Sequence, residues 1–233
     1  MKHRNSQKRI YINDAIYFLT TNVDDPLFLL KENLFCDLFV ADLKFCRKIK
    51  QFNIFGYKVN PDHIHLLIQP TGINNYSEIM RSLKTNYSRN VNFIMGYNEI
   101  SEFLKAGSRD PAFKNQYTAF TNTVDPAFKN QDTAFANTVD PVLKNQTLFK
   151  NHSNLLYQFK CNFDKKYKNP HFPKFHWQSS FHDHIIRDKS DYYMRLNYIK
   201  KQWIQHELPE NKYCYISKQK PDLSYTNQLK FVI

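Results

Sequence analysis

A short run of alternating polar and apolar residues constrains the fold of this chain most. In His63-Ile64-His65-Leu66 the side chains alternate in a way that predicts a β-strand. Successive side chains on a strand point to opposite faces, so His63 and His65 share one face while Ile64 and Leu66 lie on the other. Two imidazoles on one strand face, backed by an apolar row, are typical of a metal-ligand pair.

The flanking sequence predicts strands and helices in a definite order. Strands are expected over residues 10–23, 51–60, 63–69 and 175–187, and helices over residues 31–49, 75–95 and 192–206. The turn before the third strand is Pro61-Asp62, and Ser190 or Asp191 is expected to cap the last helix. The order β-α-β-β-α-β followed by a helix predicts an α+β fold, a ferredoxin-like antiparallel sheet with helices packed on it.

Two nearly identical blocks of 15 residues interrupt this pattern. They begin at Asp110 and Asp125 and differ at two positions, and a third, decaying copy begins at Asp140, so the repeats cover about residues 110–146. Each block contains a proline and several Asn and Thr residues, which disfavour a continuous helix. We therefore predict a poorly ordered or loosely packed insertion; a clamp over a substrate groove is the functional alternative.

These patterns together predict one interrupted domain. The expected boundaries are residues 8–208 for the domain, 97–172 for the insertion within it, and 209–233 for a C-terminal tail.

Composition narrows the class of partner and the compartment. The chain has 33 Lys and Arg against 21 Asp and Glu, a net charge of +12, which indicates an anionic partner such as nucleic acid. The four cysteines lack metal-binding or redox spacing, which favours a reducing compartment. No apolar stretch reaches the length of a secretory signal or a membrane span, so we expect a cytoplasmic, nucleoid-associated protein of bacterial type with no membrane contact.

The last predicted helix carries a tyrosine and an amide one turn apart. Tyr198 and Gln202 are four residues apart and share a helix face. A phenol can attack a phosphodiester when a divalent cation neutralises the phosphate, and the Gln202 amide oxygen can join the histidine pair as a third ligand. On spacing alone, Tyr193 with Asn197 is an alternative nucleophile and ligand, and a half-buried core tyrosine is the structural alternative for Tyr198.

Other groups remain open as well. His182 and His184 also share a strand face and form a second candidate metal pair. Basic side chains that could contact phosphates lie on the two later helices and on the last strand. They are Arg81, Lys84, Arg89, Arg187, Lys200 and Lys201.

Four segments in this order resemble the single-tyrosine transposases of the HUH nuclease superfamily. Residues 60–65 are similar to the family's His-hydrophobic-His signature, and residues 79–89 resemble its middle helix. Residues 177–187 and 195–199 resemble segments of the REP-associated tyrosine transposase branch. Where that branch often has Asn-Pro, this chain has Gln202-Trp203, and the repeat insertion has no counterpart in the family pattern.

The resemblance implies a function and a set of site residues. Such enzymes cleave single-stranded DNA beside hairpins through a tyrosine that becomes linked to a 5′-phosphate, and they later rejoin the strand. Carried over to this chain, His63 and His65 match the metal ligands, Tyr198 matches the nucleophile and Gln202 falls at the position of the third ligand. We expect Mg²⁺ or Mn²⁺ as cofactor, single-stranded or hairpin DNA as partner, and a monomer or homodimer.

Two other functions use the same fold. The first is a catalytically decayed nucleic-acid-binding module, which metal-dependent covalent capture of DNA separates from the enzyme. The second is an RNA-binding ferredoxin-like domain, which predicts exposed aromatic side chains on the sheet where the histidine pair lies.

Overall fold

The computed structural model describes residues 9–24, 29–97, 141–168 and 172–229. The chain divides into two compact units, Met1–Val91 with His171–Ile233, and Asn92–Pro170. The helices and strands, in chain order, are β1 (Tyr17–Asn22), a 3-10 turn (Leu29–Lys31), α1 (Asn33–Lys50), β2 (Phe52–Val59), β3 (His63–Pro70), α2 (Tyr76–Ile94), α3 (Pro141–Tyr167), β4 (His182–Ile185), α4 (Lys189–Gln205), β5 (Cys214–Ile216) and the single turn α5 (Thr226–Leu229).

The strands form one antiparallel sheet in the order β4-β1-β3-β2-β5. The first four strands of this order, β4-β1-β3-β2, have the ferredoxin-like arrangement, so the predicted fold class is confirmed. The fifth strand comes from the segment expected to be a tail, because Cys214–Ile216 pairs with β2. The sheet therefore continues beyond residue 208, where the sequence placed the end of the domain.

Helices cover both faces of the sheet. On one face, Tyr17 of β1 stacks on Tyr76 of α2 with ring centroids 4.1 Å apart, and α1 packs on α2, where Tyr87 donates a hydrogen bond to the Phe35 carbonyl. On the other face, α4 crosses β2 at Gly56. A Cβ atom at Gly56 would lie 3.2 Å from the Leu196 side chain, so the missing side chain lets this helix approach the sheet closely.

Local signals define the ends of α2. Asn75 and Glu78 form a reciprocal capping box, in which each side chain accepts a hydrogen bond from the other residue's backbone N–H. At the other end Gly96 has φ +84°, and the backbone N–H of Tyr97 donates to the Asn92 carbonyl. This is the Schellman geometry that glycine adopts readily and that stops a helix.

The start of α4 differs from the prediction. Its N-cap is Asp188, whose carboxylate accepts a hydrogen bond from the backbone N–H of Asp191 at 2.8 Å. The predicted caps, Ser190 and Asp191, lie inside the helix. Asp191 does not cap the helix because its carboxylate faces His184 and the backbone N–H of Arg187.

Part of the predicted insertion is helical. Helix α3 has 27 residues and begins at Pro141, so the poorly ordered alternative is wrong for residues 141–167, whereas the loosely packed alternative stays a prediction. Proline is well tolerated at the first helical position, because the N–H that it lacks would have no partner there. The two complete repeats, residues 110–139, lie outside the described residues. Among the described helices, none has the length and apolar character needed to cross a membrane.

Candidate active site

The predicted histidine pair lies on β3, on the sheet face that α4 covers. His65 lies opposite Thr20 of β1 and Lys58 of β2, in the middle of the sheet, and is 3% exposed. The Nε2 atoms of His63 and His65 are 2.9 Å apart. The strand alternation expected from the sequence therefore does turn both imidazoles in the same direction.

Gln202 brings a third donor atom to this pair from α4. Its side chain is fully buried, and its Oε1 lies 3.2 Å from His65 Nε2. The other end of the amide, Nε2, donates to Gln205 Oε1 at 2.6 Å, which fixes the oxygen toward the imidazoles. The structure thus brings together the three residues predicted as metal ligands.

Outer partners orient both imidazoles. The Asp62 carboxylate accepts a hydrogen bond from His63 Nδ1–H at 2.7 Å, and His63 Nε2 faces the site. His65 Nδ1 lies 2.8 Å from the Thr20 hydroxyl. Carboxylate and hydroxyl partners of this kind fix the tautomer of metal-binding histidines.

Burial controls the protonation of His65. Removal from water, followed by the proximity of His63, lowers the pKa of His65 to about 3. The ring is therefore neutral near pH 7, which is the protonation state required of an imidazole ligand.

The donor set fits a divalent cation. Two imidazole nitrogens and one amide oxygen suit Mn²⁺, and Mg²⁺ also accepts oxygen ligands and retains several waters. Within the described ranges, no group of three or more His, Cys, Asp and Glu side chains is arranged to hold a metal. The fit therefore depends on the amide oxygen of Gln202 as well as on the two histidines.

Tyr198 lies one helical turn before Gln202 and against the histidine pair. Its ring meets His65 edge-on with centroids 5.1 Å apart, and it meets Phe18 edge-on at 5.9 Å. The side chain of Tyr198 is partly open to solvent, since the residue is 38% exposed. The phenol of Tyr198 is therefore held beside the histidine pair and remains accessible from solvent.

The alternative tyrosines lie elsewhere on α4. Tyr192 is 1% exposed, and burial raises the pKa of its phenol to about 12. Tyr193 is exposed, and its ring contact is with Tyr192, at 5.3 Å. Among the described contacts, none joins Tyr193 or Asn197 to the histidine pair.

The second histidine pair is divided between different roles. His184 Nε2 lies 2.7 Å from the Asp191 carboxylate, whereas His182 is exposed. Although burial opposes ionisation of Asp191, hydrogen bonds from His184 and from the Arg187 backbone, together with the charge of Arg195, hold the pKa of this carboxyl below its ordinary value. His184 therefore serves to anchor the start of α4.

The predicted phosphate contacts fall into two groups. Those on α2 are on the opposite sheet face from the histidines, and there Lys84 donates to the Gln178 and Ser180 carbonyls at 2.7 and 2.9 Å. Burial, with a smaller effect from Arg9, lowers the pKa of Lys84 to about 8. The remaining three, Arg187, Lys200 and Lys201, are exposed at or near α4, which carries Tyr198.

Sequence reasoning did not single out several residues at the site. Arg195 lies one turn before Tyr198, its guanidinium carbon is 5.2 Å from the centre of the Phe18 ring, and its Nε donates to Asp191 at 3.3 Å. Asn60 and His206 both contact the Gln202 oxygen, at 3.0 and 3.2 Å. The sequence signals were spacing and position: Arg195 is three residues before Tyr198, Asn60 three before His63, and His206 four after Gln202. Asn60 and Arg195 also stand at the first positions of two segments that resemble the family, residues 60–65 and 195–199.

The fold and the site together define a class, a ferredoxin-like domain with a strand histidine pair facing a helix tyrosine. The family described as IS200-like transposases matches residues 41–127, which confirms the resemblance inferred from the sequence. The matched segment is less than half of the chain; it contains His63 and His65 and ends before Tyr198.

A solved structure is also similar to the chain. It is described as a REP-associated tyrosine transposase bound to a REP hairpin, with a TM-score of 0.46 and 15% sequence identity, covering 87% of this chain and 74% of that chain. No curated protein sequence matches the chain. The family match supports a transposase-type function.

Proposed function

We propose that this protein is a metal-dependent, tyrosine-nucleophile enzyme that nicks and rejoins single-stranded DNA at hairpin-flanked sites. The observation that carries the proposal is that His65 Nε2 lies 2.9 Å from His63 Nε2 and 3.2 Å from Gln202 Oε1, with the Tyr198 ring against His65. The match to IS200-like transposases over residues 41–127 supports the same reaction class.

Tyr198 is the proposed nucleophile. Its phenol oxygen forms a bond to the phosphorus of the scissile phosphodiester, the phenol proton is lost to solvent, and the strand leaves as a free 3′-hydroxyl after taking up a proton. The strand that stays on the protein is held as a 5′-phosphotyrosine, and attack by a 3′-hydroxyl reverses the step and rejoins DNA. A bound divalent cation supplies charge neutralisation at the phosphate.

The remaining residues position these groups. His63, His65 and Gln202 are the proposed holders of Mg²⁺ or Mn²⁺. Lys200 and Lys201, which are exposed on the tyrosine helix, are proposed to contact the DNA backbone.

Covalent capture tests the proposal. The full chain is incubated with Mn²⁺ and a labelled pool of hairpin-flanked single strands, and the products are separated on a denaturing gel. We expect a slow-migrating band that disappears with chelator and in Tyr198→Phe. Tyr193→Phe is the matched control, since it removes an exposed phenol from the same helix, and it should retain the band.

Each other outcome has a definite meaning. A band that survives Tyr198→Phe and is lost in Tyr193→Phe would assign the nucleophile to Tyr193. Salt-sensitive DNA binding with no band, across a pool that spans many hairpin and flanking sequences, would favour the decayed binding module.

A further inference from the structure

We propose that Asn60 is a fourth metal ligand, so that this chain holds its cation with two imidazoles and two side-chain amides. The inference rests on the metal site of the proposed function. It adds a residue that lies on neither β3 nor α4, since Asn60 directly follows β2 at the start of the turn into β3.

The four side chains form a closed cycle of short contacts. Asn60 Nδ2 lies 3.0 Å from His63 Nε2 and 3.0 Å from Gln202 Oε1. The cycle closes through His65 Nε2, which lies 2.9 Å from His63 Nε2 and 3.2 Å from Gln202 Oε1. Every atom of the cycle is therefore about equally far from its two neighbours.

This spacing is that of adjacent ligands around one cation. Two metal–ligand bonds of about 2.1 Å at right angles place their donor atoms about 3.0 Å apart. The four contacts, 2.9–3.2 Å, agree with that value. Asn60 thus occupies a position equivalent to those of the three residues already assigned to the metal.

The Asn60 amide also has an unmet requirement. Its side chain is fully buried, and its Oδ1 has no hydrogen-bond partner among the described residues. An unpaired buried amide oxygen is unfavourable, so a native structure normally provides a partner. The two ends of an amide are nearly the same size, and their assignment depends on their neighbours.

Rotating the Asn60 amide group by 180° about its Cβ–Cγ bond would complete the proposed set of four metal ligands. It would place Oδ1 where Nδ2 now lies, facing the lone pair of His63 and the oxygen of Gln202. Oxygen and nitrogen acceptors that face one another repel in the absence of a cation. A single bound cation gives each of them a partner. The same rotation gives Oδ1 a partner in the cation and turns the two N–H donors of Nδ2 toward the position that Oδ1 now occupies.

The turn keeps Asn60 in place for this role. Its backbone N–H donates to the His63 carbonyl at 2.9 Å, and the residue that follows is Pro61. A residue before proline is restricted to extended conformations, so the backbone at Asn60 has little freedom to rotate away. The second oxygen ligand should favour hard cations such as Mn²⁺ and Mg²⁺ over softer ones.

A spectroscopic experiment tests the ligand directly. The full chain is prepared with asparagine labelled with ¹³C at the side-chain carbonyl and loaded with Mn²⁺ in the absence of DNA. We expect a ¹³C hyperfine coupling in the Mn²⁺ electron–nuclear double resonance spectrum that is lost in Asn60→Ala. Titration should show Mn²⁺ binding weakened about tenfold in Asn60→Ala, the scale of losing one supporting group.

Two controls separate this inference from the proposed function. Asn22→Ala removes an asparagine opposite His63 on β1 and should keep the coupling. Mn²⁺ bound by the wild type and lost in His63→Ala, with no asparagine coupling, would overturn the role of Asn60 and leave the metal site standing. A wild-type chain that binds no Mn²⁺ would overturn both, and thermal melts of the metal-free variants check that each one folds.

Discussion

The protonation of single residues determines what the site can bind. His65 is buried with a pKa of about 3, whereas an unfolded histidine titrates near 6.5. The folded state therefore holds this imidazole neutral across a range of pH in which the unfolded chain takes up a proton. Burial in the sheet, together with the nearby His63, thus keeps this proposed cation ligand neutral.

The first prediction concerns acid stability. Below about pH 6.5 the unfolded chain binds one more proton at His65 than the folded chain does, so the free energy of unfolding should fall as the pH falls toward 3. The slope for one proton is about 1.4 kcal/mol per pH unit. Urea unfolding of metal-free wild type and His65→Gln, at several pH values, measures the difference. Equal slopes in the two proteins would contradict the burial of a neutral His65.

The second prediction concerns the cation beside the nucleophile. Asp191 holds Arg195 over Phe18, the same ring that Tyr198 and His65 contact. The guanidinium is therefore in place to meet the phosphate that Tyr198 is proposed to attack. We expect Arg195→Ala to slow single-turnover covalent capture about a hundredfold. Lys189→Ala, which removes an exposed cation at the first residue of the same helix, should have little effect. Equal rates for the two variants would refute a local role for Arg195.

At the scale of residues, sequence spacing predicted which side chains share a face of one helix or strand. It did not predict the side chains that come together only through tertiary contacts between elements. His63 with His65, and Tyr198 with Gln202, follow from the periods of a strand and a helix. Asn60 reaches the same atoms only because a hairpin turn folds it back toward β3. Arg195 is aligned by Asp191 and Phe18, which no periodicity connects to it.

At the scale of elements, the approach of α4 to the sheet controls the site. The helix carries Tyr198 and Gln202, and the Leu196 and Ile199 side chains pack within 3.3 Å of the position where Gly56 would carry a Cβ. The backbone oxygen of Tyr215 is 3.2 Å from the same position. A side chain at position 56 would therefore meet the backbone of β5 on one side and α4 on the other.

The third prediction follows from that contact. Gly56→Ala should lower the free energy of unfolding by about 1–3 kcal/mol, the typical effect of overpacking. It should also reduce Mn²⁺ affinity, because displacing α4 moves Gln202 away from His65. Gly72→Ala is a control outside this interface, in the turn after β3. Chemical denaturation and Mn²⁺ titration of both variants test whether the position of α4 controls the cation site. Unchanged Mn²⁺ affinity in Gly56→Ala would rule this out.

The bounds of helices and strands with a strong hydrophobic period were predicted to within a few residues. The bounds of elements without such a period were not. The predicted strand over residues 175–187 contracts to His182–Ile185, because Trp177 instead donates to the Lys84 carbonyl and Phe175 is buried beside Tyr87. Aromatic residues favour strands and interior loops alike. The three residues of β5 are too few to show a period, and their pairing with β2 depends on the fold.

At the scale of the whole molecule, one chain supplies the complete candidate site. His63 and His65 of β3 contact Tyr198 and Gln202 of the same chain. The sequence left open whether the tyrosine acts within its own subunit or across a dimer. We therefore expect the proposed nucleophile to act at the cation site of its own subunit.

The fourth prediction is a mixing experiment. Covalent capture should be absent with His63→Ala, absent with Tyr198→Phe, and still absent when the two variants are mixed and refolded together, because no chain then has both a histidine pair and a tyrosine. Wild type mixed with either variant is the control for the procedure. Recovery of the captured band in the mixture would show that the tyrosine of one subunit serves the histidines of another.

The placement of Tyr198 and Gln202 on one rigid helix has a consequence for the order of events. After cleavage the 5′ end of the strand would be tethered to α4, and any displacement of α4 would carry the DNA end and Gln202 away together. Departure of the tethered end would then dismantle the cation site behind it, and rejoining would have to wait until the helix returned. One movement of α4 would thus both carry the tethered DNA end and inactivate the cation site, so that no further cut could be made while that end is displaced.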